Sequence, residues 1–307
     1  MISENIRKRI AAMNRQRLRQ DSPRTGEDGG ASSPGHAPAS AGQAGRPDKD
    51  ALHVFAGPSD ARLTATLDDV AEGAEVRSDA GCFYLIERSF GDQFQVDGST
   101  FCQRYVDAFS NLGPDRTDVP ESLHVLGATG PDEVLYVDIE TTGLSAGSPL
   151  FLVGALRFAD GDLVAHQLLA RDYTEEAALL DHFAAMMSSS EVLISFNGKS
   201  FDLPYIRDRS LFHGVSFRLT QTHIDMLHEG RRLWRDTLPN CKLQTMERYL
   251  CRRVRHGDIP GQEIPDAYHR FVQTGNAVQI RDILHHNALD LVTMAELLVI
   301  ISEGRDL

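Results

Sequence analysis

Short apolar runs recur between residues 134 and 224, and turn signals separate them. Five runs are candidate strands: Val134–Ile139, Leu150–Phe158, Leu163–Leu169, Val192–Phe196 and Leu219–Ile224. Runs of this length and composition are typical of strands that are buried in a sheet, where both faces pack against apolar neighbours. The sequence Asp-Gly-Asp at 160–162 lies between the second and third runs and predicts a hairpin turn.

Helical patterns lie between these strands and after them. Thr174 precedes Glu175 and Glu176 and an apolar stretch that reaches Met187, which predicts a helix capped by Thr174. Further helices are predicted over 201–210 and 278–302. The order β-β-β-α-β-α-β-α predicts an α/β domain over residues 131–307, a mixed five-stranded sheet flanked by helices.

Residues 1–130 have a different composition from the rest of the chain. Residues 1–20 are basic and have helical spacing, and Gly, Pro, Ser and Ala then occupy most positions up to 50. A segment so poor in apolar residues predicts a disordered linker, because little surface can be buried to offset chain entropy. In residues 51–130, a strand at Cys82–Ser89 and a helix at Phe101–Leu112 predict a small N-terminal α+β extension.

The overall composition narrows the classes of protein. The chain has 307 residues and a formal charge of −13, so it is a poor candidate for coating nucleic acid by charge alone. No apolar run approaches the roughly 18 residues that span a bilayer, so we expect no membrane partner. The four cysteines form no CxxC pair, which favours free thiols in the cytoplasm.

Acidic residues stand at three positions where strands and helices meet. Asp138 and Glu140 end the first predicted strand, and side-chain alternation puts them on one face. Asp202 follows the fourth strand and opens a helix. His286 and Asp290, four residues apart in the last helix, share a face. Hard divalent cations prefer such oxygen ligands. Taken alone, each motif is more typical of a polar strand end, a helix N-terminus or a solvated helix face.

Together the three motifs carry a family resemblance. The stretches DIETTGL from Asp138, FNGKSFDLP from Phe196 and HNALDLVTMAELL from His286 occur in this order. They resemble the DEDD (DnaQ-like) 3′–5′ exonucleases of the ribonuclease-H-like superfamily, and among its members most resemble the bacterial YprB-type branch. The resemblance covers about the last 175 residues and implies a ribonuclease-H-like fold.

The resemblance implies a metal-dependent nuclease that hydrolyses DNA or RNA, acting from a single-stranded 3′ end, with two Mg²⁺ or Mn²⁺ ions. Asp138, Glu140, Asp202 and Asp290 would be the metal ligands, and His286 would accept a proton from the attacking water. The family places a histidine five residues before the aspartate or a tyrosine four before it. His285 has the first spacing and His286 the second, so the choice between them stays open.

The resemblance further implies a substrate pocket and leaves other functions possible. The candidate substrate-binding residues are Thr141, Thr142, Leu144, Asn197 and Lys199. Asp225 is expected to cap the following helix, and two arginine clusters, 231–235 and 252–255, are candidates for contact with a phosphate backbone. The alternatives are a non-catalytic nucleic-acid-binding module with the same fold and a structure-specific endonuclease on the same site. Protein partners are not indicated by the sequence.

Overall fold

One mixed sheet of seven strands organises the described residues, which are 64–90, 98–145 and 147–304 of a computed structural model. The strands are Ala74–Ser78 (β1), Gly81–Ser89 (β2), Val134–Thr141 (β3), Leu150–Ala159 (β4), Asp162–Leu169 (β5), Val192–Ser195 (β6) and Thr222–Asp225 (β7). Their order across the sheet is β1-β2-β5-β4-β3-β6-β7. In this order, the neighbours among β1, β2, β5, β4 and β3 pair antiparallel. Strand β6 runs parallel to both of its neighbours, β3 and β7. The predicted mixed α/β fold is confirmed.

Helices cover the sheet. They are Leu67–Val70 (α1), Gly98–Ser110 (α2), Glu176–Ser188 (α3), Asp202–His213 (α4), Met226–Trp234 (α5), Leu243–Tyr249 (α6), Ile264–Thr274 (α7) and Val278–Glu303 (α8). Two 3₁₀ helices, Glu121–Ala128 and Pro131–Glu133, lead into β3.

The core has two parts, and β3 contributes to both. Leu135, Val137 and Ile139 pack in the first apolar cluster, whereas Val134 and Tyr136 pack in the second. This division follows from the alternation of side chains along a strand. Asp138 and Glu140 continue the series of even-numbered positions, so β3 directs two carboxylates to one face of a sheet that is otherwise apolar.

The predicted number of strands, five, is wrong, because β2 and β1 extend the sheet to seven. The strand predicted at Cys82–Ser89 exists, but it pairs with β5 as part of the same sheet. An exposed β5 edge would leave backbone N–H and C=O groups unpaired, and β2 satisfies them. β1 was missed because four of its five residues are exposed, so it has no alternating apolar pattern.

Of two local features predicted from the sequence, the turn after β4 is confirmed and the cap of α3 is wrong. Asp160 and Gly161 form the predicted turn between β4 and β5, with φ angles of 53° and 85°. The predicted Thr174 cap is wrong: Glu175 occupies the N-cap position of α3. The Thr174 hydroxyl instead donates a 2.6 Å hydrogen bond to Asp172, because a nearby carboxylate competes for it.

Helix α8 is long and apolar enough, by composition, to span a membrane, but 83% of its most apolar window is buried within the protein. The core therefore accounts for its apolar character. All four cysteines are free, as predicted. The predictions of a basic N-terminal helix and a disordered linker fall on residues 1–50, outside the described residues.

Candidate active site

Three elements bring carboxylates together near the end of β3. Asp138 and Glu140 come from β3, Asp202 is the first residue of α4, and Asp290 lies in α8. The Asp202 Oδ1 atom accepts a 3.2 Å hydrogen bond from the backbone N–H of Ile139. Asp202 is therefore held at the residue that separates the two acids of β3.

The turn between β6 and α4 positions Asp202, and its backbone requires unusual residues. Asn197 has a φ of 65°, in the left-handed region that asparagine tolerates better than most residues. A Cβ atom on Gly198 would lie 2.2 Å from Ser195 Oγ. Glycine at 198 thus lets the chain turn tightly from the strand into the helix.

Asp225 fixes this turn from the end of β7. Its buried carboxylate accepts hydrogen bonds from the backbone N–H groups of Asn197 at 2.8 Å and Lys199 at 3.1 Å. It also accepts one from Leu227 at 3.1 Å, which confirms the predicted cap on α5. Asp225 therefore links the turn that carries Asp202 to the next strand and helix.

Asp138 is held by Asn287, a fully buried residue that the sequence analysis missed. Its amide donates a 2.9 Å hydrogen bond to Asp138 Oδ2 and accepts one of 2.9 Å from Gln167. Asp138, Gly154 and Gln167 lie opposite one another on β3, β4 and β5. A Cβ on Gly154 would lie 2.1 Å from Asn287 Oδ1, so this glycine makes room for the amide.

His286 lies between two acids. Its Nδ1 atom is 2.9 Å from Asp258 Oδ1, and its Nε2 atom is 3.7 Å from Asp290 Oδ2. Burial works to lower the pKa of His286, but the hydrogen bond with Asp258 and the charges of Asp290 and Asp258 outweigh burial and raise it. By contrast, burial lowers the pKa of His285.

Arg255 connects Asp290 to a buried ion-pair network. It reaches Asp290 Oδ1 and Glu247 Oε2 at 2.5 Å each and Asp258 at 3.3 Å. Arg253 shares Glu247, which is only 1% exposed. Of the second predicted arginine cluster, Arg253 and Arg255 are therefore engaged internally, and only Arg252 is exposed.

Burial disfavours ionisation of the carboxylates, and the negative charges of neighbouring acids add to this effect. Burial raises the pKa of Asp138 well above its usual range, and the charges of Asp290, Glu140 and Asp202 raise it further. Burial also raises the pKa of Glu140, and the negative charges of Asp290, Asp202 and Asp258 raise it further. Burial raises the pKa of Asp202 to about 7 despite two backbone hydrogen bonds. Among the described residues, the positive charge near these three acids does not outweigh the effect of burial on their pKa values.

This donor set fits hard divalent cations. Mg²⁺ and Mn²⁺ take carboxylate oxygens, and a bound cation reverses the repulsion that raises these pKa values. The described residues contain no preassembled group of three or more His, Cys, Asp or Glu gathered tightly around one point. Two of the acids are instead held apart by hydrogen bonds, because like charges repel. Asn287 holds Asp138, and Arg255 holds Asp290.

The candidate substrate residues lie at the end of β3, in the loop that follows it, and in the turn between β6 and α4. The Thr141 hydroxyl donates to Gly143 O at 2.9 Å and the Thr142 hydroxyl to Pro149 O at 3.1 Å. Leu144 is 39% exposed. Asn197 and Lys199 lie in the β6–α4 turn, and the Lys199 side chain is exposed.

Tyr205, another residue that the sequence analysis missed, secures the first loop. Its hydroxyl lies 2.8–3.0 Å from the carbonyl oxygens of Gly143, Ser145 and Ser148. Leu144 therefore projects from a loop held at its base by α4.

Comparison with known proteins identifies the family. A family model described as the RNase_H superfamily matches residues 135–302, and the chain belongs to this superfamily.

Two curated relatives match part of the chain. Uncharacterized protein YprB of Bacillus subtilis (strain 168) is 30% identical over 188 residues, which are 59% of this chain and 45% of that protein. Uncharacterized protein MJ0365 of Methanocaldococcus jannaschii is 27% identical over 165 residues, 52% of this chain and 90% of that protein. The chain thus spans less than half the length of YprB, and the predicted likeness to the YprB branch is confirmed.

A solved structure with a similar backbone is the family B DNA polymerase from the archaeon Pyrobaculum calidifontis. It has a TM-score of 0.45 and 15% sequence identity, and the match covers 53% of this chain and 24% of that chain.

Proposed function

We propose that this protein is a metal-dependent nuclease that hydrolyses phosphodiester bonds of DNA or RNA, acting from a single-stranded 3′ end. The observation that carries the proposal is a group of acids, Asp138, Glu140 and Asp202 with Asp290 nearby, in which burial and then neighbouring charge raise the pKa of the first three, within a fold of the RNase H superfamily. Buried acids that disfavour each other's ionisation are costly to fold, so their presence together supports a role in cation binding.

The four carboxylates, Asp138, Glu140, Asp202 and Asp290, would hold two Mg²⁺ or Mn²⁺ ions. Bound ions would neutralise these acids and stabilise negative charge on the phosphate during hydrolysis. Asn287 would keep one Asp138 oxygen oriented through its 2.9 Å hydrogen bond. Arg255 would limit the movement of Asp290 by holding Oδ1.

His286 is the proposed general base. Burial raises the pKa of Asp258, but the hydrogen bond and positive charge of His286, and then Arg255, outweigh it and lower the pKa. Asp258 is therefore an ionised acceptor for His286 Nδ1–H. In the neutral imidazole this leaves the Nε2 lone pair on the side of Asp290, where a water molecule would give up its proton.

Direct hydrolysis tests the proposal. The purified protein is incubated with 5′-labelled single-stranded DNA or RNA in Mn²⁺, Mg²⁺ or EDTA. We expect metal-dependent products that shorten from the 3′ end, and loss of these products in Asp138→Asn and Asp290→Asn. Asp266→Asn, the same change at an exposed carboxylate of α7, is the matched control and should retain wild-type activity.

Three other results would change the proposal. Cleavage that survives Asp138→Asn would exclude the carboxylate site as its source. Cleavage of a circular single strand would replace the 3′-end requirement by endonuclease action, because a circle offers no terminus. Saturable binding with no product in either metal would favour the non-catalytic alternative.

A further inference from the structure

Positive charge is concentrated in residues 226–256, here called the basic segment. It contains eight Lys or Arg residues and three Asp or Glu residues, in a chain whose formal charge is −13. It runs from the start of α5 through α6 to the loop beyond. An excess of this kind in an acidic protein indicates a surface for a polyanion.

Each of the three acids in the basic segment forms an ion pair with an arginine of the same segment. Glu229 pairs with Arg232 at 3.2 Å, and Asp236 pairs with Arg235 at 3.5 Å. Glu247 takes both Arg253 and Arg255. Four cations of the segment remain exposed and form no ion pair with any described residue: Arg231, Lys242, Arg248 and Arg252.

An exposed aromatic residue is close in sequence to two of these cations. Tyr249 is 47% exposed at the end of α6, with Arg248 before it and Arg252 three residues after it. Single-stranded nucleic acids are bound by this combination, because bases stack on aromatic faces while cations follow the phosphates. A duplex hides the faces of its bases, so an aromatic platform favours single strands.

The basic segment is tied to the carboxylate site at both ends. It begins directly after Asp225, which binds the turn that carries Asp202. Near its other end, Arg255 bonds to Asp290 and to Glu247, two residues before Tyr249. The helix α6, which ends at Tyr249, is therefore linked to Asp290 through Glu247 and Arg255.

We propose that Arg248, Tyr249 and Arg252 form a binding surface for single-stranded nucleic acid at the end of α6, with a base stacked on Tyr249 and the flanking phosphates on the two arginines. The choice of ligand rests on the proposed function. The surface itself does not require hydrolysis, so binding and cleavage are tested separately.

The variants are chosen to keep the fold intact. Tyr249→Ala removes the stacking face, and Tyr249→Phe retains it. Arg252 has a φ of 55°, a conformation that favours glycine, so Arg248→Ala with Arg252→Gly removes two charges without adding strain. Matched controls are Tyr173→Ala, at an aromatic ring that is 40% exposed, and Arg218→Ala, at an exposed arginine without an ion pair among the described residues.

Binding is measured on the full chain in EDTA by fluorescence anisotropy, with labelled oligo(dT), oligo(U) and a DNA duplex over a range of salt concentrations. Tyr249→Ala should weaken single-strand binding about tenfold without changing the salt dependence. The double arginine variant should reduce the slope of log K against log salt by about 1.4, or about 0.7 for each cation. Tyr249→Phe and both controls should stay within about twofold of wild type.

Comparison of oligo(dT) with oligo(U) separates DNA from RNA. The proposal is overturned if Tyr249→Ala and the double variant bind as the controls do, or if the duplex binds best and depends equally on Tyr249.

Hydrolysis of the same oligonucleotides in Mn²⁺ separates the proposed binding surface from the proposed nuclease activity. Cleavage with unaffected variants would keep the nuclease and reject this surface. Binding that the variants lose, without cleavage, would support the surface and reject the nuclease. Absence of both would overturn both.

Discussion

The Nδ1 atom of His286 lies 2.9 Å from Oδ1 of Asp258, a residue 28 positions earlier in the chain. Asp258 also meets Arg255 at 3.3 Å, so its position is fixed from two sides. The hydrogen bond sets the orientation of the imidazole ring and the nitrogen that carries its proton. If His286 is the general base proposed above, Asp258 is a positioning residue that acts through it.

Asp258→Asn should lower kcat by about 100-fold and leave KM nearly unchanged, because a neutral amide no longer favours the Nδ1–H form or stabilises a protonated ring. Asp258→Glu should restore part of the lost rate. Steady-state kinetics with a single-stranded oligonucleotide measures both effects, with Asp266→Asn as the control. An equal loss in Asp258→Asn and Asp258→Glu, together with a lower Tm, would indicate a purely structural role.

Gly154→Ala should destabilise the protein by about 1–3 kcal/mol and reduce hydrolysis, because the new Cβ would displace Asn287 from Asp138. Urea unfolding and activity assays measure the two effects. Gly261→Ala, where a Cβ meets nothing within 4 Å, is the control. Asn287→Ala in the Gly154→Ala background should recover stability, and additive losses in that double mutant would argue against the clash.

Asp202→Asn should raise the stability of the metal-free protein at neutral pH by about 2 kcal/mol, because it removes a buried acid from a repulsive group. Its Oδ1 can still accept the hydrogen bond from Ile139. Mn²⁺ should raise the Tm of the wild type and have little effect on the variant. Equal stabilisation of both proteins by Mn²⁺, measured by differential scanning calorimetry, would place the ions elsewhere.

His223 should make the protein sensitive to mild acid. Burial and the positive charge of Lys199 lower its pKa to about 4, whereas an unfolded chain protonates it near 6.5. The unfolded state then binds more protons, so stability falls as the pH decreases from about 6.5 towards 4. His223→Gln should reduce this loss in urea unfolding at several pH values. The exposed His256→Gln should not, and an identical pH profile in both variants would contradict the assignment.

The sequence alone determined the elements whose signals are local. The apolar runs at Val134–Ile139 and Leu163–Leu169 are strands because their side chains are buried on both faces. The i, i+4 spacing of His286 and Asp290 likewise predicted their shared face, and the structure brings the two side chains within 3.7 Å. These features depend on the periodic spacing of side chains along a strand or helix, and this spacing can be read from residues close together in the sequence.

The tertiary structure alone decided the partners that lie far apart in the chain. Asn287 reaches Asp138 across 149 positions, and Gln167 reaches Asn287 across 120. Such contacts depend on the packing of α8 over the sheet, and no local period encodes them. The same holds for β2, which looked like part of an extension until its hydrogen bonds with β5 placed it in the main sheet. The sequence supplied the acids, and long-range packing determined what holds each of them.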